Sequence, residues 1–177
     1  MRFLSSSLAT LATVLTITGS GPLPHFRITL SDSLPRGVYV VTHGMIYRGT
    51  IVAECLPLEL ALLGKERGYI GHGNCPGNTS SIMKQVAGLP GDTVELAEKY
   101  VAINGALVLG TPTQKIDSNG RIMPCVARGT FVLKHDEVFL LALNSWKSWD
   151  GRYMGPAKIS SLVETLKPIW AEANSGF

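Results

Sequence analysis

Lys84 lies in a part of the chain where a lysine is out of place. It sits in Ser81-Ile82-Met83-Lys84-Gln85-Val86-Ala87, a short apolar run with strand character, four residues ahead of Gly88. Pro90-Gly91-Asp92 then makes a turn that aims the next strand, Thr93 to Leu96. A buried lysine is expensive unless its charge is neutralised or used. Burial draws its pKa from about 10.4 toward neutrality, which makes it a general base. The plain alternative is a surface lysine on an edge strand, because charged residues are rarely buried. Two further places carry chemistry. Ser33 begins a tight polar turn in Ser31-Asp32-Ser33-Leu34-Pro35-Arg36-Gly37. Ser148-Trp149-Asp150-Gly151-Arg152-Tyr153 adds a second serine and an Asp150/Arg152 pair able to fix a loop. A serine nucleophile needs a base in hydrogen-bond reach and a group to orient that base. His25, His43, His72 and His135 occupy no comparably ordered motif, so Lys84 is the better base.

The elements that must hold these residues are mostly strands. Nineteen glycines, ten prolines and 16% charged residues describe a turn-rich, mainly β chain rather than a helical bundle. With 177 residues there is enough chain for one domain with a real core and an inserted lobe. Phe26 to Leu30 alternates as a strand, and Val38 to Val41 resumes after the Ser33 turn. Tyr47 to Glu54 reads as another strand. The stretch Leu58 to Gly68 is the one good internal helix, with Gly68 as its C-cap. Tyr100 to Val108 is a hairpin on an Asn104-Gly105 turn, and Asp117 to Arg121 is a turn. Gly129 to Leu133 and Val138 to Leu143 are strands, and 144–155 is loop. An inserted β lobe spans about 97–130 within a domain covering 25–177.

Residues 1–24 stand apart. Arg2 precedes an apolar stretch running to Thr18, no charge follows until Arg27, and Gly19-Ser20-Gly21-Pro22 closes it. That is a signal-anchor or signal peptide, short for a span. With no clean A-x-A site, the uncleaved anchor is favoured, and the single basic residue ahead of it predicts that the rest is exported. The net charge of +3 comes from scattered residues without a run of like charge, so nothing marks a nucleic-acid face. The cysteines Cys55, Cys75 and Cys125 form no C-x-x-C, and the histidines show no ligand spacing, so neither a metal nor a cofactor is expected. In an exported domain Cys55 and Cys75 could close a loop of about 20 residues, worth about 3 kcal/mol. In a cytosolic one all three are reduced thiols. Cys125 stays unpaired either way.

The three boxes, in this order, resemble the signal peptidase I superfamily of Ser/Lys-dyad proteases over about residues 28–160. The resemblance is greatest to its conjugative-transfer branch, the TraF-type peptidases. Ser33-Leu34-Pro35-Arg36-Gly37-Val38-Tyr39 looks like that branch's S-x-P-x-G-x-Y nucleophile turn, one residue shorter before the proline than in classical signal peptidases. Lys84 to Asp92 looks like the K-x-x-x-G-x-P-G-D lysine box. Ser148 to Gly155 is similar to S-x-D-S-R-Y-x-G, with Gly151 in place of the usual serine; the Asn144-Ser145 lead-in also differs from the classical G-D-N-R. The Cys55 and Cys75-Pro76-Gly77 spacing matches the branch and favours the disulfide.

The resemblance implies a signal-peptidase-like β fold and a serine endopeptidase in which Ser33 is the nucleophile and Lys84 the general base. Asp150 is the third functional position, read as paired with Arg152. The Ser33 N–H and the Ser31 hydroxyl bind the oxyanion, and Ser148 hydrogen-bonds the Lys84 amine. For Asp150 the competing reading is a loop salt bridge, and for Ser31 a turn-capping serine. The substrate implied is a pilin precursor of a mating apparatus, taken as an extended strand at the inner-membrane surface in the periplasm, beside other mating-apparatus proteins. The acyl-enzyme is then hydrolysed, or captured by the pilin's own amino terminus to give a cyclic subunit. Two other readings fit the chain: a general leader peptidase clearing many preproteins, and a non-catalytic periplasmic scaffold for pilus assembly. A self-cleaving repressor with the same dyad lacks a DNA-binding segment here.

Overall fold

The computed structural model describes residues 24–124 and 126–172. The apolar segment expected at the N-terminus, up to residue 23, and Cys125 lie outside these residues. Among the described residues no helix is long and apolar enough to cross a membrane. The chain is mainly β. Its elements are β1 (Phe26–Thr29), β2 (Gly37–Thr42), β3 (Ile51–Glu54), the helix α1 (Leu58–Glu66), β4 (Ile82–Gly88), β5 (Thr93–Leu96), β6 (Val101–Ile103) and β7 (Ala106–Val108). There follow β8 (Gly129–Val132), β9 (Glu137–Leu141), the one-turn helix α2 (Gly151–Met154), β10 (Ala157–Lys158), a 3-10 turn at Ile159–Ser161 and β11 (Leu162–Ala171).

Seven strands form one antiparallel sheet in the order β1-β2-β11-β3-β4-β9-β10, and four form a second in the order β7-β6-β5-β8. The β9 strand joins the two. All five of its residues are buried, because both its faces are covered. Val138 and Leu140 pack on Val52 and Val86 of the large sheet. Phe139 and Leu141 pack on Val94, Leu96, Val101 and Ile103 of the small one. The turn from β4 into β5 is closed by Asp92, which accepts from Leu89 N at 2.6 Å, Asn104 Nδ2 at 2.7 Å and Arg48 Nη2 at 2.8 Å. Gly91 supplies the positive φ of 85° that this turn demands.

Three elements differ from the sequence reading. Residues Tyr47 to Thr50 form a tight turn, not the start of a strand. Thr50 N donates to Tyr47 O, Tyr47 N donates to Thr50 Oγ1, and Gly49 has φ 91°. Gly151–Met154 coils into α2 where loop is expected, because Asp150 caps it. The longest strand, β11, goes unread in the sequence: Lys167 and Pro168 interrupt its alternation. It is wedged between β2 and β3 and absorbs Pro168 at a register shift before Trp170.

Cys55 and Cys75 are joined by a disulfide across 20 residues. It ties the end of β3 to the loop that follows α1. In the chain-entropy model a loop of that length stabilises by about 3 kcal/mol.

Candidate active site

Ser33 lies on the β1–β2 turn, which has three anchors. Leu34 is buried. The Tyr39 hydroxyl, at the end of a wholly buried ring, donates to Pro35 O at 2.6 Å. Gly37 faces the Trp170 carbonyl so closely that any Cβ would collide with β11 backbone. The proline, glycine and tyrosine of this segment therefore serve to hold the serine hydroxyl still. Ser33 itself is half-buried.

Lys84 comes from β4, whose residues Ile82, Lys84 and Val86 alternate into the core. It is only 5% exposed. Its Nζ is 3.0 Å from Ser33 Oγ. Burial is the main reason its pKa falls from the ordinary 10.5 to about 8. The Arg152 guanidinium lowers it further, whereas Asp150 and Glu54 raise it. An amine poised there is neutral in a useful fraction of molecules at mildly alkaline pH and can accept a proton from Ser33.

Ser148 is brought to the same point, but to a different partner than expected. Its hydroxyl lies 2.9 Å from Ser33 Oγ, and it makes no hydrogen bond to the Lys84 amine. Ser148 thus meets the Ser33 hydroxyl rather than the Lys84 amine. Asp150 makes no hydrogen bond to Lys84 either. Its Oδ1 accepts from Arg152 N at 3.1 Å and Nε at 2.8 Å, and its Oδ2 accepts from Arg152 Nη2 at 2.9 Å and Ala142 N at 2.9 Å. Both side chains are fully buried. The remaining guanidinium donors reach the carbonyls of Pro112, Trp146, Ser145 and Ser148 at 2.8–3.2 Å. The pair is the knot that ties the Ser148 loop, and it acts on Lys84 only through its charges. Ser31 is exposed, and its hydroxyl faces Thr29 Oγ1 at 3.2 Å.

The glycine at 151 has a packing reason. A Cβ there would stand 2.7 Å from Leu140 O and 3.1 Å from the Phe139 ring. The helix α2 lies against β9 too closely for a side chain. A cleft of about 510 Å³ opens here, lined by Ser33, Lys84 and Ser148 together with Tyr69, Ile70, Ile82, Met123 and Trp149. The sequence reading missed Glu54, a buried carboxyl of β3. Only its apolar neighbours Val52 and Ala53 hinted at its burial.

The family model described as signal peptidase, peptidase S26, matches residues 3–171 of this chain. A plasmid transfer protein TraF of Escherichia coli is 32% identical over 156 residues, which cover 88% of each chain. A second TraF of the same species is 34% identical over 145 residues, 81% of each. A conjugal transfer protein TraF of Agrobacterium fabrum is 32% identical over 166 residues, 90% of this chain and 87% of that one. A crystal structure of a signal peptidase I from Enterococcus faecalis overlays with a TM-score of 0.41 at 20% identity, covering 71% of this chain and all of the other.

Proposed function

From a chain that belongs to the signal peptidase family, peptidase S26, and is related over most of its length to TraF proteins of plasmid and conjugal transfer, we propose a serine endopeptidase that matures a pilin precursor for conjugative transfer. The observation that carries this reading is the 3.0 Å approach of a buried, weakly basic Lys84 to the Ser33 hydroxyl. Neutral Lys84 takes the Ser33 proton as Oγ attacks the scissile carbonyl. The Ser33 N–H receives the oxyanion, and the Ser31 hydroxyl joins it by rotating away from Thr29 Oγ1. Lys84 then passes the proton to the leaving amine, and the carbonyl carbon remains on Ser33 Oγ as an ester. Water, or the pilin's own amino terminus held beside that ester, displaces Ser33; an amine so placed has the advantage of effective molarity.

Intact mass of a pilin precursor co-expressed with the wild type and with Ser33→Ala tests this reading. Only the wild type should shorten the precursor, and a further deficit of one water marks cyclisation. Equal masses with both would send the search to a general preprotein, the substrate of a leader peptidase. Failure there too leaves the scaffold.

The site belongs, on this reading, at the periplasmic surface of the inner membrane. The disulfide suits an oxidising compartment. Cross-strand register sets Ile28, Val38 and Trp170 in one row over three strands, with Phe26 beside them. Ile28 is 73% and Trp170 62% exposed, on the strands next to the Ser33 turn. An apolar sheet face of this kind fits a lipid interface, where tryptophan is favoured. In vesicles of brominated lipid the fluorescence of the full chain should be quenched, and Trp170→Phe should remove most of the quenching. Quenching that survives the substitution counts against this face.

A further inference from the structure

We propose that Glu54 is a positioning residue of this site, a carboxyl set beside Lys84 to receive the charge the lysine acquires when it deprotonates Ser33. The proposal rests on the peptidase reading for its purpose, but its geometry stands without it. In the β3–β4 ladder Glu54 pairs with Ile82 and Val52 with Lys84. Residues two apart on one strand share a face, so Glu54 and Lys84 are diagonal neighbours on the same side of the sheet. Such neighbours are about 7–8 Å apart at the backbone, within reach of long side chains. Glu54 is 4% exposed, and no apolar packing role requires a carboxylate there.

Its hydrogen bonding accommodates two states. Among the described residues the hydrogen-bond partner of the carboxyl is Ser161 Oγ, 3.1 Å from Oε1. The same Ser161 Oγ lies 2.7 Å from Lys158 O, which can only accept. A hydroxyl has one proton. When Ser161 gives it to Lys158 O, Glu54 must itself be protonated and donate to Ser161. When Glu54 ionises, Ser161 turns its proton toward the carboxylate and releases the carbonyl. Burial, opposed by Ser161 and by Lys84, lifts Glu54 to about 7, so both states are populated near neutrality.

Few other charges face the pair. Asp150 and Arg152, beside Lys84 at α2, neutralise each other in their bidentate bridge. Lys158 is turned to Asp136 Oδ2 at 2.9 Å and Glu137 Oε1 at 3.0 Å. Glu54 and Ser161 also line a second cavity, of about 460 Å³, that does not include Ser33 or Lys84. The carboxyl can exchange its proton there without crossing the substrate cleft. Once ionised, Glu54 supports the ammonium form of Lys84 that follows proton transfer.

The test is the titration of Lys84 in the full chain, followed by the Cε resonance of ¹³C-labelled lysine and assigned by its loss in Lys84→Met. Glu54→Gln keeps the shape and the Ser161 contact but not the charge. It should move the Lys84 midpoint down by roughly one pH unit for charges at this separation. The acid limb of kcat/KM for precursor cleavage should move with it, and Glu54→Asp should restore part of the shift. A midpoint unchanged in a folded Glu54→Gln protein overturns the proposal. A midpoint that moves in a protein that cleaves nothing keeps the coupling and removes the peptidase reading instead.

Discussion

Lys84→Met should abolish precursor processing, by at least about 10³-fold, and at the same time make the folded chain more stable. Methionine has nearly the shape of lysine but cannot take the Ser33 proton, so the nucleophile loses its base. The gain in stability follows from the wild-type lysine's burial. Its pKa is about 8 in the fold against an ordinary 10.5, so the unfolded chain holds the proton more tightly. Each tenfold difference in proton affinity is about 1.4 kcal/mol, which makes the penalty on the order of 3 kcal/mol at pH 7. The penalty is fully present below about pH 8, shrinks between 8 and 10.5 and vanishes above. For a domain of this size the variant should therefore melt roughly 5–10 °C higher at pH 7, with the advantage fading as pH approaches 10.5. Melting curves at pH 7, 9 and 10.5 check the sign. A variant that melts lower than wild type at pH 7, or one that still processes precursor, contradicts the buried-base account.

Arg152→Met should be the most damaging single change outside the dyad. It leaves the Asp150 carboxylate fully buried with only two backbone donors, Ala142 N and the N–H of residue 152 itself, and no countercharge; breaking a buried pair in this way costs about 3–5 kcal/mol. The carbonyls of Pro112, Trp146 and Ser148 lose the guanidinium donor as well, and that of Ser145 keeps only Ser148 N. The loop that brings Ser148 to Ser33 then has no fixed shape, so processing falls even where the protein still folds. Asp150→Leu combined with Arg152→Met removes both charges and should recover part of the stability but none of the positioning. Urea unfolding of the three proteins separates the two effects. An Arg152→Met midpoint within about 1 kcal/mol of wild type would refute the knot.

Gly151 illustrates how far a motif can be read on its own. As a departure from the usual serine it takes a hydroxyl away from the lysine. In the fold the position has no room for a side chain, and Ser148 supplies its hydroxyl to Ser33. The glycine removes a contact that this packing could not have housed.

What the sequence by itself determined was local: the Asn104-Gly105 hairpin, the Pro90-Gly91-Asp92 turn, helix α1, the serine turn, and the lysine on an apolar strand. These depend on φ preferences and alternation over a few residues, and neighbours along the chain carry them. Tertiary structure alone decided which distant groups meet. Lys84 and Ser33 are 51 residues apart and Ser148 and Ser33 are 115 apart, joined only once β11 has threaded between β2 and β3. That strand is unreadable locally because its partners, rather than its own alternation, hold it in place. The same holds for Glu54, a polar residue at the end of a short strand until the β3–β4 register sets it beside Lys84. The partner of a side chain is fixed by register and burial, which no run of adjacent residues contains.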